Sequence, residues 1–201
     1  MIGKEKLKEI ILSNKEFILN QVEAIIKREG FRLPEAVEKV IVLYGVRRSG
    51  KTFILYDLFR NFREESLYID FEDERLADFR LEDFETLREA FLELNPRLVD
   101  KNKVFLFDEI QNIAGWEKFC RRVAEREKTR VYVSGSSSKI MPEEIHTSLR
   151  SLRATKWRSN PVFEIASVAS LLRNYNIGNN ISKAMLGALY CPIWTRMNLY
   201  A

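Results

Sequence analysis

The sequence predicts a three-layer α/β domain with a mostly parallel sheet. Short, continuously apolar runs rich in β-branched and aromatic residues alternate along the chain with stretches of helical periodicity, the pattern of parallel strands joined by crossover helices. The chain has 201 residues, enough to bury a sizeable core, and its 31% charged and 46% hydrophobic residues are ordinary for a globular protein.

The N-terminal stretch is predicted to be helical. Apolar residues recur at helical spacing from Lys4 to Arg28, and Gly30 is a natural stop. Ser13 and Asn14 allow the stretch to divide into two helices. Residues 1–35 are therefore assigned to an N-terminal helical segment.

Strands and helices then alternate over residues 36–150, which we assign to a single core. The strands are continuous apolar runs, and the helices carry an inward apolar stripe. The predicted strands are Val40–Tyr44, Leu67–Phe71, Val104–Phe107 and Arg130–Val133. The first predicted helix begins after Thr52. Two further helices are predicted at Arg80–Leu94 and Trp116–Arg126.

A phosphate-binding motif lies between the first strand and the first helix of this core. Gly45–Thr52 reads GVRRSGKT and matches GxxxxGK[ST] in full. Its glycines let backbone N–H groups point at phosphate, and the following helix adds a partial positive charge. Lys51 is predicted to reach the β and γ phosphates, and Thr52 to coordinate Mg²⁺. The other predicted nucleotide-binding residues are Gly45, Arg48, Ser49, Gly50 and Phe53. The alternative, a surface loop that matches by chance, is disfavoured by this placement.

A pair of carboxylates ends the strand Val104–Phe107. Because ligands bind at the carboxyl ends of parallel strands, Asp108 is predicted to hold Mg²⁺ and Glu109 to orient and polarise the attacking water. The alternative is a pair of solvated charges. Along the chain, the extra strand Leu67–Phe71 lies between this pair and the lysine. It favours the ATPase branch of P-loop folds, in which a strand is inserted between the two motif strands, over nucleotide kinases.

Serines follow the fourth strand. A polar side chain at this strand end can sense a γ phosphate, and Ser134 and Ser136 are the candidates. The alternative is a plain Gly/Ser turn. The acids Asp70, Glu72 and Asp73 follow the second strand, where they either shape a nucleotide or partner face or are simply solvated.

Together these segments resemble a known family. GVRRSGKT, YIDFEDERL, FLFDEIQNIAGWEKF and YVSGSSSKI are similar to prokaryotic, especially archaeal, AAA-type ATPases over about Phe31–Arg150. The resemblance implies a P-loop NTPase of the AAA/ASCE type, with Gly45–Thr52 as Walker A and Asp108 and Glu109 as Walker B. It also implies a serine of Ser134–Ser138 as sensor 1, and ATP and Mg²⁺ as cofactors.

The chain departs from this family after residue 150. Members continue with a Gly-Arg pair, a strand, a segment resembling PLSFxEFL and a C-terminal domain, often with a DNA-binding or nuclease-like assignment. Here Pro161–Leu171 only echoes that segment. Residues 151–201 are expected to be a divergent tail, truncated or frame-shifted, which leaves the fifth strand unpredicted. Arg150 and Arg153 are the candidates for an arginine finger, with solvated charges as the alternative.

The excess positive charge that gives the net charge of +4 lies in this tail, which has six basic residues and one acid. The core is therefore close to neutral.

Cys120 and Cys191 have no metal-binding spacing, and with one histidine no zinc site is expected. The chain shows no signal-peptide pattern, and its longest apolar tail run, Ala184–Trp194, is too short to span a membrane. These features predict a cytoplasmic protein.

The leading functional prediction is ATP hydrolysis that drives a conformational change on a DNA or protein partner, with ADP as a product and a homo-oligomer as an open question. The alternative is a nucleotide-binding remnant or switch that hydrolyses little, because the tail cannot complete an arginine-finger site. A small-molecule kinase is disfavoured, since Arg75–Arg97 is mostly acidic or apolar rather than an arginine-rich lid.

Overall fold

The computed structural model describes residues 1–22, 39–45, 48–100, 102–136 and 163–167, without the side chains of residues 22, 136 and 163–167. The helices are α1 (Lys4–Val22), α2 (Lys51–Asn61), α3 (Asp83–Leu94) and α4 (Trp116–Glu127). The strands are β1 (Val40–Gly45), β2 (Ser66–Asp70), β3 (Val104–Asp108), β4 (Arg130–Ser136) and β5 (Phe163–Ser167). Short 3-10 helices occupy Glu74–Leu76, Pro96–Leu98 and Ile110–Asn112.

The strands form one parallel sheet in the order β2-β3-β4-β1-β5. The predicted α/β fold with a parallel sheet is therefore confirmed, and its predicted strands lie within a few residues of their observed bounds. One detail of the prediction was wrong. The strand inserted between the motif strands β1 and β3 is β4, whereas β2 lies at the edge of the sheet. A crossover connection carries the chain past neighbouring strands, so strand order in the sequence does not determine strand order in the sheet.

β5 comes from the part of the chain assigned to the divergent tail. It pairs with β1, with Val40 opposite Phe163 and Tyr44 opposite Ser167. The segment Pro161–Leu171, which only echoes the family pattern, thus contains a strand that the sequence left unpredicted. A short strand of this kind is defined by the partner that it pairs with as much as by its own residues.

Helices cover both faces of the sheet. Because successive side chains of a strand point to opposite faces, each strand contributes to two separate core clusters. The cluster shared with α3 and α4 contains the strand residues Val42, Phe105, Phe107, Val131 and Val133. The cluster shared with α2 contains Ile41, Leu43, Tyr68, Leu106 and Tyr132.

The N-terminal helix α1 runs along the edge strand β2. Leu7 and Ile10 pack into the cluster of α3 and α4, whereas Ile18 packs into the cluster of α2. The helix is continuous through Ser13 and Asn14, where a division was considered, and residues 23–38 lie outside the described ranges. A helix in this position protects an edge strand from pairing with another chain.

Aromatic rings pack beneath the carboxyl ends of β2 and β3. Phe84 of α3 stacks on Phe119 of α4 with ring centroids 4.6 Å apart, and it contacts Phe71 and Phe107 at 5.6 and 5.7 Å. Phe71 follows the last residue of β2, and Phe107 precedes Asp108. This packing supports the strand ends at which the predicted site residues lie.

Candidate nucleotide site

The predicted site residues gather at the carboxyl edge of the sheet. β1 ends at Gly45, β2 at Asp70, β3 at Asp108 and β4 at Ser136. The strand register places Gly45 opposite Ser136, and Asp70 opposite Asp108. Parallel strands end on the same edge of their sheet, where α/β proteins bind ligands.

The loop between β1 and α2 contains two residues in the left-handed region, Arg48 with φ of 65° and Gly50 with φ of 88°. Gly50 adopts this conformation without a Cβ clash. It occupies the N-cap position of α2 and makes no side-chain capping hydrogen bond. The amino end of α2 therefore has no side-chain acceptor from its cap residue, and its N–H groups suit an anionic ligand. Residues 46–47 of the motif lie outside the described ranges.

Lys51 is the first residue of α2, and only 4% of its surface is exposed. Its ammonium group donates a hydrogen bond of 3.3 Å to the carbonyl oxygen of Gly45. The side chain thus reaches back across the loop to the end of β1. A buried ammonium group is stabilised by nearby oxygens, and phosphate oxygens are charged partners of the same kind.

The remaining motif residues surround the amino end of α2. The Ser49 hydroxyl is buried and has no hydrogen-bond partner within the described part of the chain. Leaving such a group unsatisfied costs about 1–3 kcal/mol, so a ligand oxygen fits this position. Thr52 is half-buried, and Phe53 is exposed. The buried lysine and the unsatisfied hydroxyl are both donors from which phosphate oxygens can accept hydrogen bonds.

The Asp108 carboxylate is 2% exposed and accepts hydrogen bonds from three groups. Its Oδ1 accepts from the hydroxyl of Ser134 on β4 and from the N–H of Glu109 at 3.2 Å. Its Oδ2 accepts from the phenol of Tyr68 on β2 at 3.2 Å. Burial raises the pKa of Tyr68 well above its ordinary value, so this phenol is protonated and able to donate at neutral pH.

Tyr68 was missed by the sequence reasoning, which predicted Asp108 and Ser134. Its position in an apolar strand made it indistinguishable from a core aromatic. The contact depends on β2 lying directly beside β3, which is a property of the tertiary structure. The available signal was a phenol within a strand predicted to be buried, because a buried phenol requires a hydrogen-bond partner.

Glu109 has a left-handed backbone with φ of 47°. This conformation costs a non-glycine residue about 1–2 kcal/mol, and such strain is common at functional sites. Its carboxylate accepts a hydrogen bond of 2.6 Å from the side-chain amide of Gln111, whose own Oε1 is buried without a partner among the described residues. The Glu109 side chain is thus held in one direction at the end of β3.

Asp70 is half-buried at the end of β2. Burial raises the pKa of its carboxyl group to about 6; a hydrogen bond from the Glu72 N–H opposes this rise, and the charge of Asp108 adds to it. Asp73 is different, because its ion pair with Arg75 at 2.6 Å lowers its pKa. Asp70, the last residue of β2, therefore interacts electrostatically with Asp108.

A magnesium ion fits the residues at this edge. Mg²⁺ in nucleotide sites takes one or two carboxylates and completes its shell with phosphate oxygens and water. Asp108 and Thr52 offer an oxygen each. Across the described ranges, no cluster of three or more His, Cys, Asp or Glu side chains can hold a metal ion.

Some predicted residues lie beyond what the structure describes. Ser136 ends β4 by its backbone, but its side chain is not described, and Arg150 lies outside the described ranges. Their predicted roles stay predictions.

The described residues also enclose a cavity of about 100 Å³ between α1, α2, β2 and α3, lined by residues that include Ile11, Lys15, Arg63 and Asn95. It lies away from the phosphate loop. No described helix has the length and apolar character needed to cross a bilayer.

The chain is similar to known proteins over the region that contains the phosphate loop and the carboxylates of β3. Residues 37–162 match the family described as AAA domain. An uncharacterized protein of Methanocaldococcus jannaschii is 37% identical over 152 residues, which cover 75% of this chain and 32% of that protein. An uncharacterized protein of Haemophilus influenzae is 28% identical over 116 residues, covering 54% of this chain and 28% of that protein. The chain thus spans about a third of the length of these relatives. The structure of C. elegans PCH-2 covers 81% of this chain and 42% of its own, with 13% identity and a TM-score of 0.40.

Proposed function

The chain belongs to the AAA domain family, as its motifs indicated, and on this premise we propose that it binds ATP with Mg²⁺ and hydrolyses it. The observation that carries the proposal is the pairing of a buried lysine at the amino end of α2 with a buried aspartate at the end of β3. Lys51 begins the helix that follows β1, Asp108 ends β3, and one strand, β4, lies between β1 and β3 in the sheet. The lysine suits the phosphates of a nucleotide, and the aspartate suits its metal ion.

Phosphate binding is assigned to the loop that precedes α2. Lys51 provides a positive charge, and Ser49 provides a buried hydroxyl that has no protein partner in the described ranges. The backbone N–H groups at the amino end of α2 add donors in a fixed geometry. These groups are positioned before the ligand arrives, so binding requires little reorganisation.

The metal site is assigned to Thr52 and Asp108. When bound, Mg²⁺ neutralises charge on the β and γ phosphates. Asp108 is suited to this role because Ser134 and Tyr68 fix the orientation of its carboxylate. In this arrangement the Ser134 hydroxyl orients the metal ligand Asp108. Sensing of the γ phosphate would be a second role of the same hydroxyl.

Glu109 is assigned as the residue that orients and polarises the attacking water. It follows the metal ligand directly, and the Gln111 amide holds its carboxylate. Positioned general bases contribute about 10²–10⁴-fold to the rate of a reaction. Arg150 remains the proposed arginine finger. We also propose that the chain is a cytoplasmic protein whose hydrolysis is coupled to remodelling of a DNA or protein partner.

The first test separates nucleotide binding from hydrolysis. Lys51→Ala is expected to abolish binding of ATP and ADP, measured by calorimetry, because it removes the phosphate-binding charge. Glu109→Gln is expected to retain ATP and to lose turnover by about 10²–10⁴-fold. The matched controls are Lys118→Ala and Glu117→Gln on α4, which packs on the opposite face of the sheet from α2. Full ATPase activity in Glu109→Gln protein would contradict the assignment of the base.

The second test concerns the arginine finger and the partner. Turnover per molecule is measured against protein concentration, with and without DNA. A rise with concentration is expected if one subunit supplies an arginine to the site of another, since such a residue adds about 10³–10⁵-fold to the rate. Tight ATP binding with negligible turnover at every concentration would instead support the alternative of a nucleotide switch.

A further inference from the structure

We propose that Tyr68 is a positioning residue that orients Asp108 for the metal ion, and that Tyr56 connects it to the helix carrying Thr52. The inference rests on the proposed function, because it concerns the same metal site. Tyr68 begins the family-like segment YIDFEDERL, in which no role was predicted for it, and Tyr56 lies outside the family-like segments. Both are buried in the cluster between α2 and the sheet.

The first step is the contact between Tyr68 and Asp108. The Tyr68 phenol donates to Oδ2 of Asp108 at 3.2 Å, while Ser134 and the Glu109 N–H donate to Oδ1. Donors on both oxygens, from β2 on one side and β4 on the other, prevent the carboxylate from rotating. Metal-ligating carboxylates depend on such partners, because the direction of their free lone pairs determines where the metal ion sits.

The second step is the contact between the two tyrosines. Tyr56 lies one helical turn after Thr52 on α2, so both side chains lie on neighbouring positions of one helix face. The rings of Tyr56 and Tyr68 meet at a centroid distance of 5.4 Å with an interplanar angle of 65°. A continuous chain of contacts therefore runs from α2 through the two rings, and from the Tyr68 hydroxyl to Asp108.

The third step is the consequence of this chain for the metal site. Thr52 and Asp108 come from α2 and β3, and they approach the same ion only if the separation of the helix and the sheet is constant. The pair of tyrosines spans that separation. A purely structural role would be served equally by phenylalanine, since the rings would still pack. The hydroxyl of Tyr68 is directed at the metal ligand, which is the feature that packing alone does not require.

The test compares Tyr68→Phe with the wild-type protein. The variant removes one hydroxyl and keeps the buried ring. The affinity of Mn²⁺ for the protein–ADP complex, measured by electron paramagnetic resonance, is expected to weaken about 10–100-fold. The Mg²⁺ concentration for half-maximal ATPase activity is expected to rise by a similar factor. The affinity for ADP without metal should remain that of the wild type.

Tyr56→Leu and Tyr132→Phe complete the design. Tyr56→Leu removes the ring contact with Tyr68 and keeps an apolar side chain. It is expected to weaken Mn²⁺ binding by less than Tyr68→Phe, because the hydrogen bond between Tyr68 and Asp108 remains. Tyr132 is a buried tyrosine of β4 in the same core cluster, and its replacement should leave Mn²⁺ affinity unchanged. This control measures the effect of losing any buried phenol hydroxyl from that cluster.

The outcomes that overturn the inference are specific. Wild-type Mn²⁺ affinity in Tyr68→Phe would refute the role of Tyr68, and wild-type affinity in Tyr56→Leu would refute the link to α2. Equal losses in Tyr68→Phe and Tyr132→Phe, or a loss of metal-free ADP binding, would indicate general distortion and refute the inference as well. Failure of the wild-type protein to bind ADP would instead refute the proposed function.

Discussion

The side-chain amide of Gln111 donates a hydrogen bond of 2.6 Å to the carboxylate of Glu109, two residues earlier in the chain. Glu109 enters this contact from a left-handed backbone conformation, and residues 110–112 form a 3-10 turn directly after it. The turn therefore holds an acidic side chain at the end of β3 in one direction. In the proposed mechanism this is the carboxylate that orients water.

Gln111→Ala is predicted to reduce ATP turnover while leaving nucleotide binding intact. Loss of the amide frees the Glu109 carboxylate, and misplacement of a reacting group by about 1 Å can lower a rate about 10²-fold. The measurement is steady-state ATPase activity together with ADP affinity. Asn112→Ala is the control, because this amide lies in the same turn but donates to the carbonyl oxygen of Phe71. Equal losses of turnover in both variants would argue against a specific role for Gln111.

Asp70 is predicted to make the protein less stable as pH rises. Its folded-state pKa is raised to about 6 from an ordinary value of 3.8. Between these values the folded state binds more protons than the unfolded chain. Stability therefore falls as pH rises through this window, and the destabilisation is complete above the folded-state pKa.

Replacing Asp70 with Asn tests this dependence. The amide oxygen can still accept the hydrogen bond from the Glu72 N–H. Thermal unfolding between about pH 4 and pH 8 is expected to show a gain in Tm for the variant that is small at the acidic end and largest above about pH 6. Asp78→Asn, at an exposed position, should show no such trend. A gain in Tm that does not change with pH would contradict the prediction.

Phe84→Ala is predicted to destabilise the fold by about 3–5 kcal/mol, the usual loss for a large buried aromatic side chain. Phe84 is fully buried and contacts the rings of Phe71, Phe107 and Phe119. The free energy of unfolding in urea measures the effect. Phe17→Ala, at a position that is 52% exposed, is expected to cost less than about 1 kcal/mol. Similar losses in the two variants would contradict the packing described for α3.

Gly115→Ala is predicted to destabilise the protein by about 1–2 kcal/mol, because left-handed backbone is unfavourable for residues with a Cβ. Gly115 has φ of 76°, and an added Cβ would lie 3.3 Å from Cδ2 of Leu81. Gly3→Ala is the control, since a Cβ there would meet nothing within 4 Å. Urea denaturation of both variants provides the comparison, and a loss at Gly3 as large as that at Gly115 would refute this reason.

Much of the fold was predictable because its signals are local. A buried strand such as Val104–Asp108 is a continuous apolar run, and the phosphate loop is a contiguous motif between a strand and a helix. The positions of Lys51 and Asp108 at the ends of their elements follow from these runs alone. The family resemblance depended on the same contiguous blocks.

The sequence by itself therefore determined strands β1 to β4 and the family to which the chain belongs, and it supplied the predicted site residues apart from Tyr68. Only the tertiary structure decided that β4 separates the motif strands, that β5 joins the sheet, and that Tyr68 contacts Asp108. The physical reason is the range of the interactions. Periodicity and turn preference act between near neighbours in the chain, whereas strand order and the hydrogen bonds between strand ends arise from residues that only the crossover connections bring together.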